Sequence, residues 1–262
     1  MEISHERRSV ESDETSLASK TALTYGLKEL AKPNLAYRLG LFWIILDPFV
    51  IALIYAFLIV VVRGNYDGYS IIIGVLTLQA MNRGISRNMT LNIASEPFPM
   101  MHTPTKSLVI SRFSTDLTQA AFVGLSGSLV IIFMAKAPLL LVISLPLICV
   151  FLSLIGTSLG IIISPISIII KDIQKIISYL LLASLFILAV LYDYDMTSGN
   201  HRAFLSLIPH TFGVEWIRHI ISGETFPFSV NHVATVCFCW AILLCLGLIR
   251  TEKNRWRLTS WT

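Results

Sequence analysis

The chain has 262 residues, of which 55% are hydrophobic and only 14% charged, and its mean hydropathy is +0.73. A soluble domain carries about 25% charged residues, so this composition excludes an ordinary soluble enzyme, a disordered chain and a disulfide-stapled secreted module. The net charge of +4 is too small to indicate nucleic-acid binding, and the class expected is an all-α polytopic membrane protein.

Residues 1–19 are polar and acid-rich, with Glu2, Glu6, Glu11, Asp13 and Glu14, and read as a disordered cytoplasmic tail. In residues 20–38, Leu23, Leu27, Leu30 and Ala31 recur at helical spacing among Lys20, Lys28 and Glu29. This predicts an amphipathic helix lying on the cytoplasmic membrane surface. The first forty residues hold no short apolar segment followed by small residues, so no cleavable signal peptide is expected.

Residues 39–250 are expected to form a six-span domain. The first apolar run, Leu41 to Val62, is 22 residues long; at ~1.5 Å per residue it reaches roughly 33 Å, enough for a hydrocarbon core of about 30 Å. The second, Tyr69 to Ala94, contains Arg83 and Arg87, and the third, Leu117 to Ala135, is uncharged. Ala137 to Ile170 then runs without a charge and is too long for one upright span. Ser164-Pro165 is the expected break, because proline disfavours helix in the residue before it and removes a donor. That places the fourth span at about Leu139 to Ile163, the fifth at Ile176 to Tyr192 and the sixth at Phe228 to Ile249. Residues 251–262 are expected to be a cytoplasmic tail, with Trp256 and Trp261 as interfacial anchors.

An even number of spans puts both termini on one side. Arg7, Arg8, Lys20, Lys28, Lys32 and Arg38 precede the first span, Lys106 and Arg112 follow the second, Lys171 and Lys175 follow the fourth, and Arg250, Lys253, Arg255 and Arg257 follow the sixth. These fourteen cations face four on the other side, Arg63, Lys136, Arg202 and Arg218. The bias makes both termini cytoplasmic in a multi-pass protein of the cytoplasmic (inner) membrane.

Between the fifth and sixth spans, Leu205, Ile208, Phe212, Trp216 and Ile220 lie three or four apart, interrupted by His210, Glu215, Arg218 and His219. The segment from Ala203 to Gly223 is too polar to span and too apolar for a simple loop, so it is expected to form one or two short re-entrant helices at the outer leaflet. Glu215 and Arg218, three apart, are expected to pair. His201, His210 and His219 are nine apart and show no zinc-site spacing. His232 is expected to bond a neighbour. Cys149, Cys237, Cys239 and Cys245 all fall in apolar runs and are expected to be buried thiols.

The stretch from Arg38 to Pro48, with Trp43 and Pro48 at the matching positions, resembles the opening of type-2 ATP-binding-cassette exporter permeases. Thr103-Pro104-Thr105-Lys106 resembles the family's loop after span two, and Lys171-Asp172-Ile173-Gln174 its basic-Asp-Ile-Gln motif. Ile208-Pro209-His210 through Glu215, Arg218 and Gly223 resembles its external Asn-Pro segment, with Ile208 in place of Asn. Ala189-Val190-Leu191 stands where the family often has Ser-Pro. The similarity runs over residues 20–250 and is nearest to the polysaccharide and lipid-linked glycan exporters. It implies a homodimer of permeases around a central pathway and separate ATPase subunits beneath.

The chain has no G-x-x-x-x-G-K-[ST] phosphate loop. It is therefore expected to be a transport subunit and not an enzyme, with no cofactor of its own, ATP and Mg being bound by the partner ATPase. Pro104, Lys106, Lys171, Asp172 and Lys175 are the coupling candidates; alternatively these loops only connect spans. Arg83 and Arg87 lie i,i+4 on one side of span two, and Asp47 and Trp43 lie in span one. A charge at mid-membrane costs about 2.5–3.5 kcal/mol on insertion scales. These four residues are the candidate substrate pathway, where the arginines would attract a phosphate or other anion. The competing reading has the arginines snorkel to headgroups or pair with Asp47 or Asp116. Expected partners are the ATPase, a second permease copy, membrane lipids and a glycan or lipid-linked substrate. A drug, lipid or other small amphiphile is the alternative cargo. An intramembrane lipid-modifying enzyme is the alternative class, although the in-span polar residues are scattered; a membrane scaffold is another.

Overall fold

Residues 71–78, Ile-Ile-Ile-Gly-Val-Leu-Thr-Leu, are apolar on every side, and a helix apolar all round is one that other helices surround. In the computed structural model this stretch lies in α2 (Gly68–Asn88) and forms the centre of the protein, with Ile71, Ile72, Ile73 and Val75 wholly buried. The structure describes residues 42–63, 68–90, 105–135, 138–223 and 225–258. The acidic tail, the 20–38 surface helix, Pro104 and its proline-rich approach, and Trp261 lie outside them.

Every regular element among the described residues is a helix. Around α2 stand α1 (Trp43–Arg63), α3 (Thr105–Ala135), α4 (Leu141–Ile169) and α5 (Lys171–Ile187); the short α6 (Gly199–Leu205) and α7 (Pro209–Ser222) follow, α7 packing on α2 and α4, and α8 (Val230–Leu258) packs against α4 and α7. Among the described residues three helices are long and apolar enough to cross a membrane: α3 over Val109–Ile132, α4 over Leu141–Ser167 and α8 over Val230–Arg250. Large apolar side chains cover the outside, among them Phe122, Leu147, Phe151, Phe238 and Leu246. Water would penalise that surface, whereas acyl chains match it. The helix α8 does not stop with its apolar segment but continues to Leu258.

The tightest contact is α2 against α4. A Cβ on Gly84 would meet the Thr157 amide nitrogen at 2.6 Å, and one on Gly156 would overlap the Met81 carbonyl. Small residues here let two backbones approach, which is how helices associate where no hydrophobic drive exists between them.

The expected break at Ser164-Pro165 is absent: α4 runs through Pro165 to Ile169, and the chain turns at Ile170 (φ −119, ψ 93). The reason is local. Proline leaves the carbonyl four residues back, that of Ile161, without its helical donor. The Ser164 hydroxyl donates to that same carbonyl at 2.9 Å. Lys171, Asp172 and Lys175, expected in the loop between the fourth and fifth spans, accordingly begin a 17-residue helix, α5, one residue after α4. The expected fifth span also ends early. The helix stops at Ile187, and Leu188 to Leu191 are non-helical yet buried. The cysteines divide: all are free, Cys149 is buried, Cys237 is half-buried, and Cys239 and Cys245 are exposed on the bare face of α8.

Candidate functional site

The helix α7 takes its bounds from sequence chemistry. Pro209 opens it, where a missing N–H costs nothing, and Gly223 closes it with φ 73, donating its N–H to the His219 carbonyl at 2.9 Å. It runs antiparallel to the start of α2, so that His210 meets Thr77 and Arg218 meets Ser70. The Thr77 hydroxyl proton is donated to the Ile73 carbonyl at 2.8 Å. His210 Nε2 at 3.3 Å is therefore the donor to Thr77, and the buried Nδ1 has no partner among the described residues. Burial, with the Arg218 charge adding to it, holds the His210 imidazole down at about 3, against a weaker pull from a Gly74 hydrogen bond.

Arg218 organises the outer end of the bundle. Its guanidinium donates to Glu215 Oε1 at 2.6 Å, Ser70 Oγ at 2.7 Å, the Tyr192 carbonyl at 3.1 Å and the Val190 carbonyl at 3.2 Å. Asp193 Oδ1 lies 3.3 Å from its Nε. The expected Glu215–Arg218 pair is present, and its job is visible. Where α5 ends early, buried carbonyls lose their helical donors, and such groups are tolerated only if protein re-satisfies them. Burial pushes the Glu215 carboxyl up, while the Arg218 charge and hydrogen bond and the Tyr194 amide draw it back. Above this cluster Tyr194 and Phe212 pack on Phe228, with ring centroids 4.5 and 4.7 Å apart. His232 bonds the Ser206 carbonyl at 2.9 Å, the neighbour expected for it.

At the opposite end of α2 the polar residues are arranged differently. Arg87 Nη1 pairs with Asp116 Oδ1 of α3 at 2.9 Å. The other carboxylate oxygen accepts from Asn88 Nδ2 at 2.7 Å and Thr157 Oγ1 at 3.0 Å. Asp116 is thus a three-helix junction at 5% side-chain exposure. Next to it, Gln79 and Arg83 of α2, Gln119 of α3 and Ser153 of α4 line an open notch. Gln79, Asn82, Arg83, Ser86 and Arg87 form one half-buried to exposed stripe along a helix whose other sides are buried. Their i, i+3, i+4, i+7, i+8 spacing places them on one face.

The pathway candidates therefore separate. Arg87 belongs to the Asp116 junction. Arg83 stands on the notch wall, acted on electrostatically by Asp47 of α1. Asp47 is exposed, and Trp43 is half-buried one turn before it. Of the coupling candidates, Lys171, Asp172 and Lys175 are exposed on the first turns of α5, and Lys106 lies in the first turn of α3. The elbow at Ile170, between α4 and α5, is tied to α2: Gln174 Nε2 donates to the Ser167 carbonyl at 3.1 Å, and the Ser167 hydroxyl donates to the Met89 carbonyl. Sequence reasoning missed Gln79, Asn82, Ser86 and Gln119. A count of polar residues on the Arg83 side of span two would have found the first three.

Among the described residues no group of three or more His, Cys, Asp or Glu side chains could hold a metal ion. No family model matches the chain, and no curated protein sequence does.

Proposed function

We propose that the chain is the transmembrane permease subunit of an ATP-binding-cassette exporter. It moves a polysaccharide or lipid-linked glycan out across the cytoplasmic membrane and is powered by a separate ATPase subunit. In this reading α1 to α5 and α8 are the six crossings, α6 and α7 dip in from outside, residues 20–38 lie on the inner surface, and both termini are cytoplasmic. A second copy closes the pathway.

The observation that carries the reading is the polar stripe of α2. Ionisable and carboxamide side chains at membrane depth face a bundle interior or water, because acyl chains cannot solvate them. Ser70 and Asn88, which mark the two polar layers, are 18 residues apart on α2. At ~1.5 Å per residue that is roughly 27 Å, close to the hydrocarbon thickness of about 30 Å. The stripe between them gives a polar wall for a hydroxyl-rich cargo.

The elbow supplies the drive. Exposed Lys171, Asp172 and Lys175 give a partner something to grip, and the Gln174–Ser167–Met89 hydrogen bonds carry a displacement of α5 to the end of α2. Co-expression with a candidate ATP-binding-cassette ATPase from the same organism tests the reading. An exporter subunit captures that ATPase, and Lys171→Glu with Lys175→Glu weakens capture while the permease still folds. No capture by the unaltered chain would end the export reading.

A further inference from the structure

The notch beside Asp116 has a chemistry that the export reading does not itself specify. It presents one guanidinium, Arg83, and two carboxamides, Gln79 and Gln119, with Ser153 behind them and small residues such as Gly84 and Ala120 between. Two of its charges are accounted for. The Asp116 carboxylate takes Arg87, Asn88 and Thr157 and has no oxygen left over. Arg83 has Asp47 as the charge acting on it, and no direct ion pair of Arg83 occurs among the described residues. Gln79 Oε1 is buried without a hydrogen-bond partner among the described residues. A dry carboxamide oxygen is costly to leave unpaired, so a ligand donor or water completes it. Rotation of the terminal amide offers its NH₂ there instead.

With Asp116 taken by Arg87, Asn88 and Thr157, a single guanidinium, Arg83, is left to face the notch, and the nearby Asp47 charge acts on it, so the site favours one negative charge and opposes a second. Carboxamides on either side of it donate to and accept from hydroxyls. We infer that the notch binds a monoanionic, hydroxyl-bearing headgroup, a carboxylate or phosphodiester beside sugar hydroxyls, with Arg83 holding the anion and Gln79 and Gln119 the hydroxyls. Because the notch is open on one side, it takes the edge of a headgroup and not an enclosed molecule. Only the description of that headgroup as cargo rests on the export reading.

The test uses the full chain in phosphatidylcholine nanodiscs with no ATPase present. Dodecyl glucuronide is a monoanion with hydroxyls, dodecyl glucoside is neutral with the same hydroxyls, and dodecyl phosphate at about pH 8 is a dianion without them. A charge-assisted hydrogen bond contributes about 1.5–3 kcal/mol, so the glucuronide should bind about tenfold or more tighter than the glucoside. Arg83→Gln should abolish that preference and leave glucoside binding in place; Arg83→Lys should keep part of it. Gln79→Leu should weaken both glycosides alike. Methyl glucuronide, run in parallel, distinguishes a headgroup delivered on a lipid from one delivered in water. Equal affinity for glucuronide and glucoside, tighter binding of the phosphate, or an unchanged preference in Arg83→Gln would overturn the inference. If Arg83→Gln also loses the glucoside, the Arg83→Lys protein carries the comparison: a preference lost in Lys as fully as in Gln contradicts an anion held by charge. A negative result here removes the site and leaves ATPase capture standing, while failed capture removes export and leaves the site.

Discussion

Arg218→Met is the most informative single perturbation of the outer end. The arginine is 8% exposed and donates to a carboxylate, a hydroxyl and two backbone carbonyls. Methionine replaces the stem and removes every donor. Glu215, 9% exposed, keeps only the Tyr194 amide at 3.2 Å. Removing one partner of a buried pair costs about 3–5 kcal/mol, because the other charge is left unpaired. The loss should fall in Arg218→Met/Glu215→Gln, which orphans only the Asp193 carboxylate, 37% exposed and therefore solvated, to about 1–3 kcal/mol, the cost of the unsatisfied carbonyls. The Arg202–Asp195 pair is an internal control: its side chains are 45% and 71% exposed at 3.1 Å, and Asp195→Asn should change stability by only about 0–1 kcal/mol. Equilibrium unfolding in mixed detergent micelles, followed by tryptophan fluorescence and circular dichroism, reads all of these proteins. A cost under about 1 kcal/mol for Arg218→Met would refute the claim that this guanidinium holds the broken end of α5.

Three further outcomes follow from the same contacts. Asp116→Asn removes the carboxylate that Arg87, 25% exposed, pairs with at 2.9 Å; the same unfolding assay should show a loss of about 2 kcal/mol, largely recovered when Arg87→Met is added. Ser164→Ala removes the hydroxyl that satisfies the Ile161 carbonyl beneath Pro165 and should cost about 1–3 kcal/mol, whereas Ser144→Ala, at an exposed serine, should cost less. His210 is held at about 3, below its ordinary 6.5, so its contribution is complete above pH 6.5 and is lost as pH falls from there towards 3. The slope from this group is at most ~1.4 kcal/mol per pH unit, and His210→Gln, which keeps a donor for Thr77 and cannot titrate in this range, should flatten stability against pH by that amount.

Much of the architecture was legible because long apolar runs have only one cheap conformation in a membrane. The helices α4 and α8 stand where uncharged stretches place them, α3 contains its uncharged stretch but reaches back through Asp116 and Arg112 to Thr105, and α6 and α7 stand where Leu205, Phe212 and Trp216 recur at helical spacing. What was not legible is three-dimensional satisfaction. Proline at 165 reads as a break until one sees that Ser164 supplies the missing donor. Tyr192 reads as the end of an apolar span, yet the helix stops at Ile187, because Arg218, far along the chain, stabilises a non-helical exit. Arg83 and Arg87 look equivalent in sequence, and only the position of Asp116 on a neighbouring helix distinguishes them. Cys239 and Cys245 lie in an apolar run and are nevertheless exposed, since α8 offers one side to the bundle and the rest to its surroundings.

Thiol accessibility tests the central claim, that the α2 stripe faces water in a protein otherwise wrapped in acyl chains. In a background with the four native cysteines replaced, Ser86→Cys and Gln119→Cys should react quickly with a charged maleimide in inverted membrane vesicles. Phe122→Cys and Leu129→Cys, on the exposed apolar face of α3, should stay unreactive until detergent is added. Equal and slow labelling at all four positions would contradict a water-facing stripe, and with it the transport account.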